Sequence, residues 1–353
     1  MSGRYLTVVL GLLVGLLAGA TLLGSGIPVR AQGAQDSGAV ILMYHRFGED
    51  DYPSTNIRIE QLDAHLTVLR DGGFTVLPLP EIVAAFERGD PLPDRAVAIT
   101  IDDAYRSIYD IAWPRFRDAG IPFTVFVATE PIDRGLGNYM TWDQLRELHA
   151  AGVTIANHTV SHLHMPDRDL ATARVEIERA QARLTEELGA APTLFAYPYG
   201  EASQAIAEIV REMGFVAAFG QQSAVAFKDH DRYYLPRFAL NENFGEPDRF
   251  NLIVNALPLP VSDVTPADPT VTVNPPPFGF TVEPPAGNIG RLNCFAFAGG
   301  GAVELTLQRL GGMRVEGRFA EALPRGRTRI NCTMPAQDGR WRWFGMQYYV
   351  PAR

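Results

Sequence analysis

Short β-rich runs alternate with amphipathic segments between residue 40 and about residue 240. The runs include AVILMY, AVAITI, PFTVFVA and GVTIA, and segments between them, such as IEQLDAHLTVLRDGG, place leucines on one helical face. Repeated strand–helix alternation predicts an α/β fold with a parallel sheet, because each crossover returns the chain to the same end of the sheet. Seven or eight such units favour a distorted, seven-stranded (β/α) barrel over residues 38–255, with an open parallel sheet as the alternative that periodicity alone does not separate. Sites in such folds form at the carboxyl ends of the strands.

The character of the sequence changes after about Asn255. Prolines are frequent over residues 256–277, which predicts a stiff linker and a domain boundary. Residues 278–353 carry short β-like runs, including FGFTV, CFAFA and RWRWFGMQYYV, with Gly311-Gly312 as a hairpin signal. This pattern predicts a small, all-β, sandwich-like domain after the α/β domain.

The first residues have the pattern of an export signal. Arg4 precedes an apolar run over residues 6–23, and Val29 and Ala31 fit the small-residue pattern of a cleavage site. We therefore predict a signal peptide over residues 1–31 and a periplasmic or extracellular protein. The alternative is an uncleaved anchor, because the run approaches the roughly 18–20 residues that span a membrane.

Composition narrows the remaining classes. The net charge of −9 and the pI near 5.3 argue against a general nucleic-acid-binding protein. The chain has two cysteines, Cys294 and Cys332, and export favours one disulfide between them. Two buried free thiols are the alternative. Neither cysteine is a candidate metal ligand, since the chain contains no second pair.

Four polar residues stand directly after two of the predicted strands. Asp102 and Asp103 follow AITI, and adjacent carboxylates repel each other unless a cation or a donor lies nearby. Both can serve one site only where the strand ends, since side chains alternate between faces within a strand. His158 and His162 follow GVTIA at a spacing of i and i+4, so that either one helical turn or a tight loop presents both imidazoles to one point. Two imidazoles and one carboxylate predict a metal site with a position open for water, beside a second, ionised carboxylate.

Three motifs resemble those of the polysaccharide deacetylase family, the fourth carbohydrate esterase family. They are TIDDA, HTVSH and YPYG, and the resemblance extends across residues 40 to about 240. It implies a NodB-homology domain, a distorted barrel that hydrolyses acetyl groups on glycans with a bound divalent metal. Zinc is the default metal for an imidazole-rich open site, and cobalt or nickel would also fit the ligands.

The resemblance implies a role for residues in each motif. In TIDDA, Asp102 would be the catalytic base and Asp103 a metal ligand. In HTVSH, His158 and His162 would complete the metal site. In YPYG, Tyr199 would contact the substrate and donate its backbone N–H to the oxyanion.

The third motif departs from much of the family, because Ala196 stands where many members have an arginine that orients the base. Arg237 in YLPRF comes from a later strand end, and we predict that it takes over this role, as in members with a similar AYPYG form. The alternative is an arginine with no part in the reaction, at the surface or at the edge of the core.

A second departure is the absence of the late motif from which many members draw the general acid. His45 in LMYHRF directly follows the first predicted strand, at the barrel end where the metal is expected. We therefore predict His45 as the general acid, with a hydrogen-bonded structural histidine as the alternative.

Aromatic residues provide candidate sugar contacts. Trp142 and Tyr139 could line a sugar-binding cleft and stack against the sugar rings. For Trp142, a buried structural tryptophan at the start of a helix is an equal alternative. In the β domain, alternation places Trp341 and Trp343 on one face, and we expect this face to pack in the core rather than bind glycans.

Together these features predict a secreted, metal-dependent hydrolase that removes N-acetyl groups from an amino-sugar polymer or oligomer. A chitin-, peptidoglycan- or poly-N-acetylglucosamine-like glycan is the expected partner, with a possible association with the cell envelope. The alternatives are an O-acetyl esterase acting on xylan-like glycans and a non-catalytic glycan-binding wall protein.

Overall fold

The computed structural model describes Met1, Gly3, residues 37–284 and residues 286–352. All but two residues of the predicted signal peptide, residues 1–31, lie outside this described part. No helix within the described part is both long and apolar enough to cross a lipid bilayer.

Ten short strands make up the first part of the fold: β1 (Ala39–Tyr44), β2 (Arg46–Phe47), β3 (Asn56–Ile57), β4 (Thr75–Val76), β5 (Ala96–Asp102), β6 (Thr124–Val127), β7 (Thr154–Asn157), β8 (Leu194–Ala196), β9 (Ala217–Phe219) and β10 (Phe238–Ala239). Seven of them form a parallel sheet in the order β10-β1-β5-β6-β7-β8-β9, and β4 pairs with the start of β5. Strands β2 and β3 form a separate parallel pair.

The seven-stranded sheet curves until its ends are joined by one segment. Leu235 pairs with Phe219 of β9, and Phe238, three residues later, pairs with Leu42 of β1. This segment therefore bridges the two edges of the sheet and closes a distorted barrel. The predicted seven-stranded (β/α) barrel is confirmed.

Helices cover the outside of the barrel: α1 (Ile59–Asp71), α2 (Leu79–Arg88), α3 (Trp113–Asp118), α4 (Thr129–Asp133), α5 (Trp142–Ala150), α6 (Leu170–Leu188), α7 (Gln204–Glu212) and α8 (Pro247–Val254). Strand residues alternate between two apolar clusters, as the period of two requires. Val40 and Leu42 join the cluster shared with most of these helices, whereas Ala39 and Ile41 join a cluster rich in alanine.

Nine further strands form the second part of the fold: β11 (Leu257–Pro258), β12 (Val261–Thr265), β13 (Phe278–Val282), β14 (Asn293–Ala298), β15 (Gly301–Val303), β16 (Leu305–Arg309), β17 (Arg314–Phe319), β18 (Gly326–Pro335) and β19 (Trp341–Val350). They form a five-stranded sheet, β11-β19-β18-β14-β15, and a four-stranded sheet, β12-β13-β17-β16. One apolar cluster contains residues of both sheets, including Phe280 and Phe344. The predicted all-β, sandwich-like region is confirmed.

The proline-rich residues 256–277 are not only a linker, which corrects the expectation from sequence. They contain β11 and β12, and each of these is an edge strand of one sheet. Proline lacks an N–H to donate but is tolerated at a sheet edge, where one side of the strand needs no partner. The β region therefore begins at Leu257.

A disulfide joins Cys294 and Cys332. The two residues are directly paired across β14 and β18, and both side chains lie in the apolar cluster between the sheets.

The five-stranded sheet packs against the barrel through the face that points away from the sandwich core. The Trp343 ring of β19 meets the Phe238 ring of the barrel edge to face, with their centroids 5.3 Å apart. Two residues along the strand, Gly345 lies so close to the barrel that a Cβ there would collide with the carbonyl oxygen of Ser223. The backbone of β19 and the barrel are therefore in direct contact.

Candidate active site

Two carboxylates lie where β5 ends at the carboxyl edge of the barrel. Asp102, the last residue of the strand, is fully buried. Asp103 follows with a φ of 76° and Ala104 with a φ of 62°, so the backbone turns through a region that residues other than glycine seldom adopt. This turn allows both neighbouring carboxylates to face one site.

Asp103, His158 and His162 form a compact cluster of candidate metal ligands. The Nε2 atoms of His158 and His162 lie 3.5 and 3.3 Å from Oδ1 of Asp103. All three ligand atoms are within 4.8 Å of one another. Oδ1 of Asp103 and Nε2 of His158 are buried and have no hydrogen-bond partner among the described residues. Buried polar atoms normally find a partner, so these two unpaired atoms, aimed at one point, fit a bound cation.

His158 is held in the orientation and the charge state that a metal ligand needs. Its Nδ1 lies 2.7 Å from the carbonyl oxygen of Ala196. Because a carbonyl can only accept, Nδ1 carries the proton and Nε2 keeps its lone pair for the cation. Burial lowers the pKa of His158 to about 4, against the raising effect of Asp102, so the ring is neutral at pH 7.

His162 reaches the cluster from a tight loop rather than from a helix. Thr159 and His162 have φ values of 68° and 55°. Oδ1 of Asn157 accepts a hydrogen bond from the Thr159 N–H, and Oγ1 of Thr159 accepts one from the His162 N–H. These side chains satisfy backbone groups that regular structure does not, and they fix the loop after β7.

Arg237 contacts Asp102 inside the barrel. Its Nη1 and Nη2 donate to Oδ1 and Oδ2 of Asp102 at 2.7 and 2.8 Å, and neither side chain is exposed. Nε of Arg237 also donates to the carbonyl oxygen of Gly220, and Nη1 donates to Oγ1 of Thr100. Burial alone would raise the pKa of Asp102, but the Arg237 guanidinium, joined by the His158 ring where it is protonated at low pH, lowers it to about 2. Asp102 is therefore ionised at pH 7.

Tyr199 lies between the metal cluster and the β region. Its φ is 59°, within the turn Pro198–Gly200 that follows β8. The Tyr199 ring meets the His162 ring edge to face and stacks on the His164 ring, with centroid distances of 4.4 and 4.1 Å. Its carbonyl oxygen accepts a hydrogen bond from Nε2 of Gln347 at 3.0 Å. A residue of β19 thus holds the loop of the third motif.

His45 directly follows β1 and lines the same cleft as Asp103 and His162. Its Nδ1 is buried and has no hydrogen-bond partner in the described part of the chain. Burial lowers the pKa of His45, while the carboxylates of Asp103 and Asp102 act in the opposite direction. Two of the remaining histidines lie away from this cluster: His65 is buried beneath α8, and His149 is exposed on α5.

Trp142 is not among the residues that line the cleft, and its contact with substrate remains a prediction. It begins α5, where Nε1 donates to Asp133 and the Arg183 guanidinium lies 4.7 Å from the ring. These contacts explain a tryptophan at a helix start without a ligand. Tyr139 does line the cleft, beside the ring of Tyr105.

The β region supplies one wall of the cleft, which the sequence did not reveal. The cleft has a volume of about 1170 Å³ and is bounded on this side by Phe295, Phe297, Arg327, Arg329, Asn331 and Trp341. Trp341 and Trp343 share a face, as alternation requires, but it is the outer face and not the core. Phe344 and Tyr348, on the other face, are the residues that pack in the core. Alternation fixes which residues share a face, but it does not say which face is inside.

Comparison with known proteins identifies the family of the barrel. Residues 89–218 match the family model described as polysaccharide deacetylase. This part of the chain belongs to the polysaccharide deacetylase family. The sequence-based predictions of the family and of a hydrolase are confirmed. The roles of individual residues in the deacetylase domain remain predictions.

Three relatives show how far the similarity extends. The poly-β-1,6-N-acetyl-D-glucosamine N-deacetylase of Escherichia coli (strain K12) is 25% identical over 235 residues, which cover 54% of this chain and 35% of that protein. The protein of the same name from Staphylococcus aureus (strain MSSA476) is 22% identical over 240 residues, covering 60% and 82% of the two chains. The structure of IcaB from Ammonifex degensii has a TM-score of 0.54 and 27% identity, and it covers 63% of this chain and 98% of its own. The chain therefore spans about a third of the length of the E. coli relative.

Proposed function

We propose that this protein hydrolyses N-acetyl groups on a polysaccharide of N-acetylglucosamine. The observation that carries the proposal is the three-ligand cluster, two of whose members, Asp103 and His162, line an open cleft, together with the neighbouring Asp102, a separate carboxylate that is buried and ionised. A purely structural metal site has no need of that second carboxylate. Two relatives named as poly-β-1,6-N-acetyl-D-glucosamine N-deacetylases support the choice of bond and polymer.

Asp103, His158 and His162 would hold one divalent transition-metal ion. Imidazole and carboxylate ligands suit zinc, and cobalt or nickel are compatible. When bound at an open position, such an ion polarises a carbonyl and lowers the pKa of water from 15.7 toward about 7.

Asp102 is the proposed general base. It accepts a proton from the water that attacks the acetyl carbon. The two hydrogen bonds from Arg237 use one lone pair on each carboxylate oxygen, so each oxygen keeps another for this proton. Arg237 is a positioning residue here, because it orients Asp102 and prevents the carboxylate from turning toward the metal.

Tyr199 and His45 would complete the reaction. The backbone N–H of Tyr199 donates to the developing oxyanion, an interaction of a type that contributes roughly 3 kcal/mol. The bond between the acetyl carbon and nitrogen then breaks, and His45 gives a proton to the departing amine. Acetate and a free amino sugar are the products.

The test is acetate release from a panel of glycans by the metal-loaded protein. Poly-β-1,6-N-acetylglucosamine and acetylated chito-oligomers should release acetate, and acetylated xylan should release much less. The Asp102→Asn variant is the matched control, because it keeps the side-chain shape and loses the base. Release from xylan esters alone would replace the proposal with an O-acetyl esterase, and equal release by Asp102→Asn would remove Asp102 as the base.

We also propose that the protein is exported and divided into a signal peptide, residues 1–31, a deacetylase domain, residues 38–255, and a β domain from Leu257 onward. The Cys294–Cys332 disulfide supports export, because such bonds persist mainly in oxidising compartments. Fractionation of cells that produce the protein, with sequencing of its mature N-terminus, tests this proposal. Recovery in the cytoplasm with Met1 retained would contradict it.

A further inference from the structure

Three aromatic side chains of the β domain are exposed to solvent on one face of its five-stranded sheet. Phe295 and Phe297 on β14 are 54% and 48% exposed, and Trp341 on β19 is 39% exposed. Residues that alternate with them, such as Cys294 and Ala296, are buried in the sandwich core. The inner face of the sheet thus packs in the sandwich core, while its outer face carries aromatic rings that are exposed to solvent. Exposed aromatic surface on one face commonly marks a binding site.

These rings lie in the same cleft as the candidate metal ligands. Asp103 and His162 line it at the barrel end, and Phe295, Phe297 and Trp341 line it on the β domain. Its volume of about 1170 Å³ exceeds the roughly 300–1,000 Å³ that is typical of a small-molecule pocket. The cleft has room for sugar units on either side of the one that reacts.

We propose that the outer face of β14, β18 and β19 binds the sugar units of the polysaccharide that flank the reacting unit. We call this face the aromatic platform, defined by Phe295, Phe297, Asn331 and Trp341. The inference deepens the proposed function and rests on it.

The chemistry of the platform matches a glycan chain. A pyranose ring has an apolar C–H face and a rim of hydroxyl and amide groups. The aromatic rings can pack against the apolar face, as aromatic side chains do with other flat apolar groups. Asn331 is directly paired with Phe295 across the strands, and its Oδ1 already accepts a hydrogen bond from Nε1 of Trp343. Its amide N–H groups can then donate to the polar rim of a sugar.

Two arginines give the platform a preference between substrate and product. Arg327 and Arg329 line the cleft, and the Arg327 guanidinium lies 5.2 Å from the Tyr199 ring centroid. Arg329 donates hydrogen bonds to the side chains of Gln221 and Gln347. These bonds hold its positively charged guanidinium in place where the barrel meets the β domain. An acetylated chain is neutral, whereas each deacetylated unit carries an ammonium group at pH 7. Arg327 is paired with Glu201, whose Oε1 lies 3.5 Å from its Nε, so Arg329 is the main source of positive charge. Like charges repel, so the platform should bind acetylated chains more tightly than deacetylated ones.

The test compares long and short substrates in the full, metal-loaded protein. Phe295→Ser and Trp341→Ser should each lower the ratio of kcat/KM for long polymer to that for a single N-acetylglucosamine unit by about tenfold, the size of a typical interface contact. The conservative variants Phe295→Tyr and Trp341→Phe should retain most of the ratio. Leu310→Ser is the matched control, because Leu310 is 44% exposed in the same domain and does not line the cleft. An unchanged ratio in both serine variants would overturn the proposal, whether kcat/KM stays at the parent value or falls equally for the long and the short substrate.

A binding measurement separates failure of the platform from failure of the proposed function. Asp102→Asn should still bind acetylated poly-β-1,6-N-acetylglucosamine in affinity electrophoresis, and more weakly after chemical deacetylation of the polymer. If the parent protein releases no acetate from any amino-sugar chain while this binding persists, the reaction assignment fails and the platform stands. If Phe295→Ser binds the polymer as tightly as the parent, the platform is wrong. A wild-type dimer that the serine variants convert to a monomer would assign the face to a second copy of the chain instead and overturn the proposal.

Discussion

Arg237 and Asp102 form a two-point ion pair across a sequence separation of 135 residues. Asp102 comes from the third strand of the closed sheet, counted from β10, and Arg237 comes from the segment that closes the barrel. The segment that closes the barrel therefore also supplies the residue that orients the candidate base.

Replacing Arg237 by methionine should lower kcat and destabilise the fold. The variant leaves Asp102 buried without its partner, and breaking a buried ion pair in this way typically costs about 3–5 kcal/mol. The pKa of Asp102 lies near 2 in the parent, below its usual value, so Asp102 stays ionised throughout the range in which the protein is assayed. Without Arg237 that pKa rises, and the acid limb of the kcat/KM profile should move to higher pH. The measurements are a pH profile and metal content, and Arg237→Lys is the control that keeps a charge without the two-point geometry. An unshifted acid limb in Arg237→Met would make Arg237 a structural residue only.

Replacing His158 by alanine should abolish tight metal binding. The residue supplies one of three ligands, and Nε2 is unpaired in the described structure and directed at the cluster. Elemental analysis of purified protein should give about one transition-metal ion in the parent and a small fraction of that in the variant. His149→Ala is the matched control, because His149 is exposed on α5 away from the cluster. Full metal content in His158→Ala would contradict the ligand assignment.

His45→Ala should slow the hydrolysis of acetamides more than that of activated esters. An amine cannot leave as an anion, so it needs a proton, whereas a good alkoxide or phenoxide leaving group does not. General acid catalysis typically contributes 10²–10⁴-fold in rate. The measurement is kcat on an N-acetyl sugar and on a nitrophenyl acetate, with metal content as a check. Equal losses on both substrates would assign His45 to metal positioning or folding.

His65 should make the protein less stable as the pH falls from about 6.5 to about 4. Its Nε2 donates to the carbonyl oxygen of Gly245 at 2.7 Å, its Nδ1 lies 3.1 Å from the Tyr44 hydroxyl, and the ring stacks on Phe250. Burial lowers the pKa of His65 from 6.5 to about 4, so between these values the unfolded chain binds a proton that the folded chain does not. The loss should reach about 3 kcal/mol at most.

Chemical denaturation of the parent and of His65→Gln between pH 7 and pH 4 tests this prediction. The glutamine variant can still donate to Gly245 but does not titrate. Its stability should therefore fall less steeply with acid than that of the parent. Parallel curves for the two proteins would show that other groups cause the acid sensitivity.

The sequence predicted the barrel and the residues at its strand ends because both follow from local patterns. Asp102 and Asp103 directly follow an apolar run, and parallel strands bring all such ends to one edge. Motif spacing located His158 and His162 for the same reason. The pairing of Arg237 with Asp102 needed the family resemblance as well, because nothing local in YLPRF indicates a partner 135 residues away.

The sequence did not predict which surfaces meet. A tryptophan at the start of a predicted helix looks the same in the sequence whether it contacts a sugar or protein side chains. In the structure, Trp142 contacts Asp133 and Arg183. Trp341 and Trp343 were assigned to one face correctly, but the choice of face depends on how the sheet docks on the barrel. That docking rests on single contacts such as Gly345 against Ser223, which leave no periodic signal in the sequence.

The period-two arrangement of β14 and β19 separates the residues that hold the sandwich together from those that face the cleft. Phe295 can change without any change in Cys294 or Ala296, because neighbouring side chains point to opposite sides of the sheet. On the proposed function, a few substitutions on the outward face would therefore change which glycan the protein binds while its fold stayed the same.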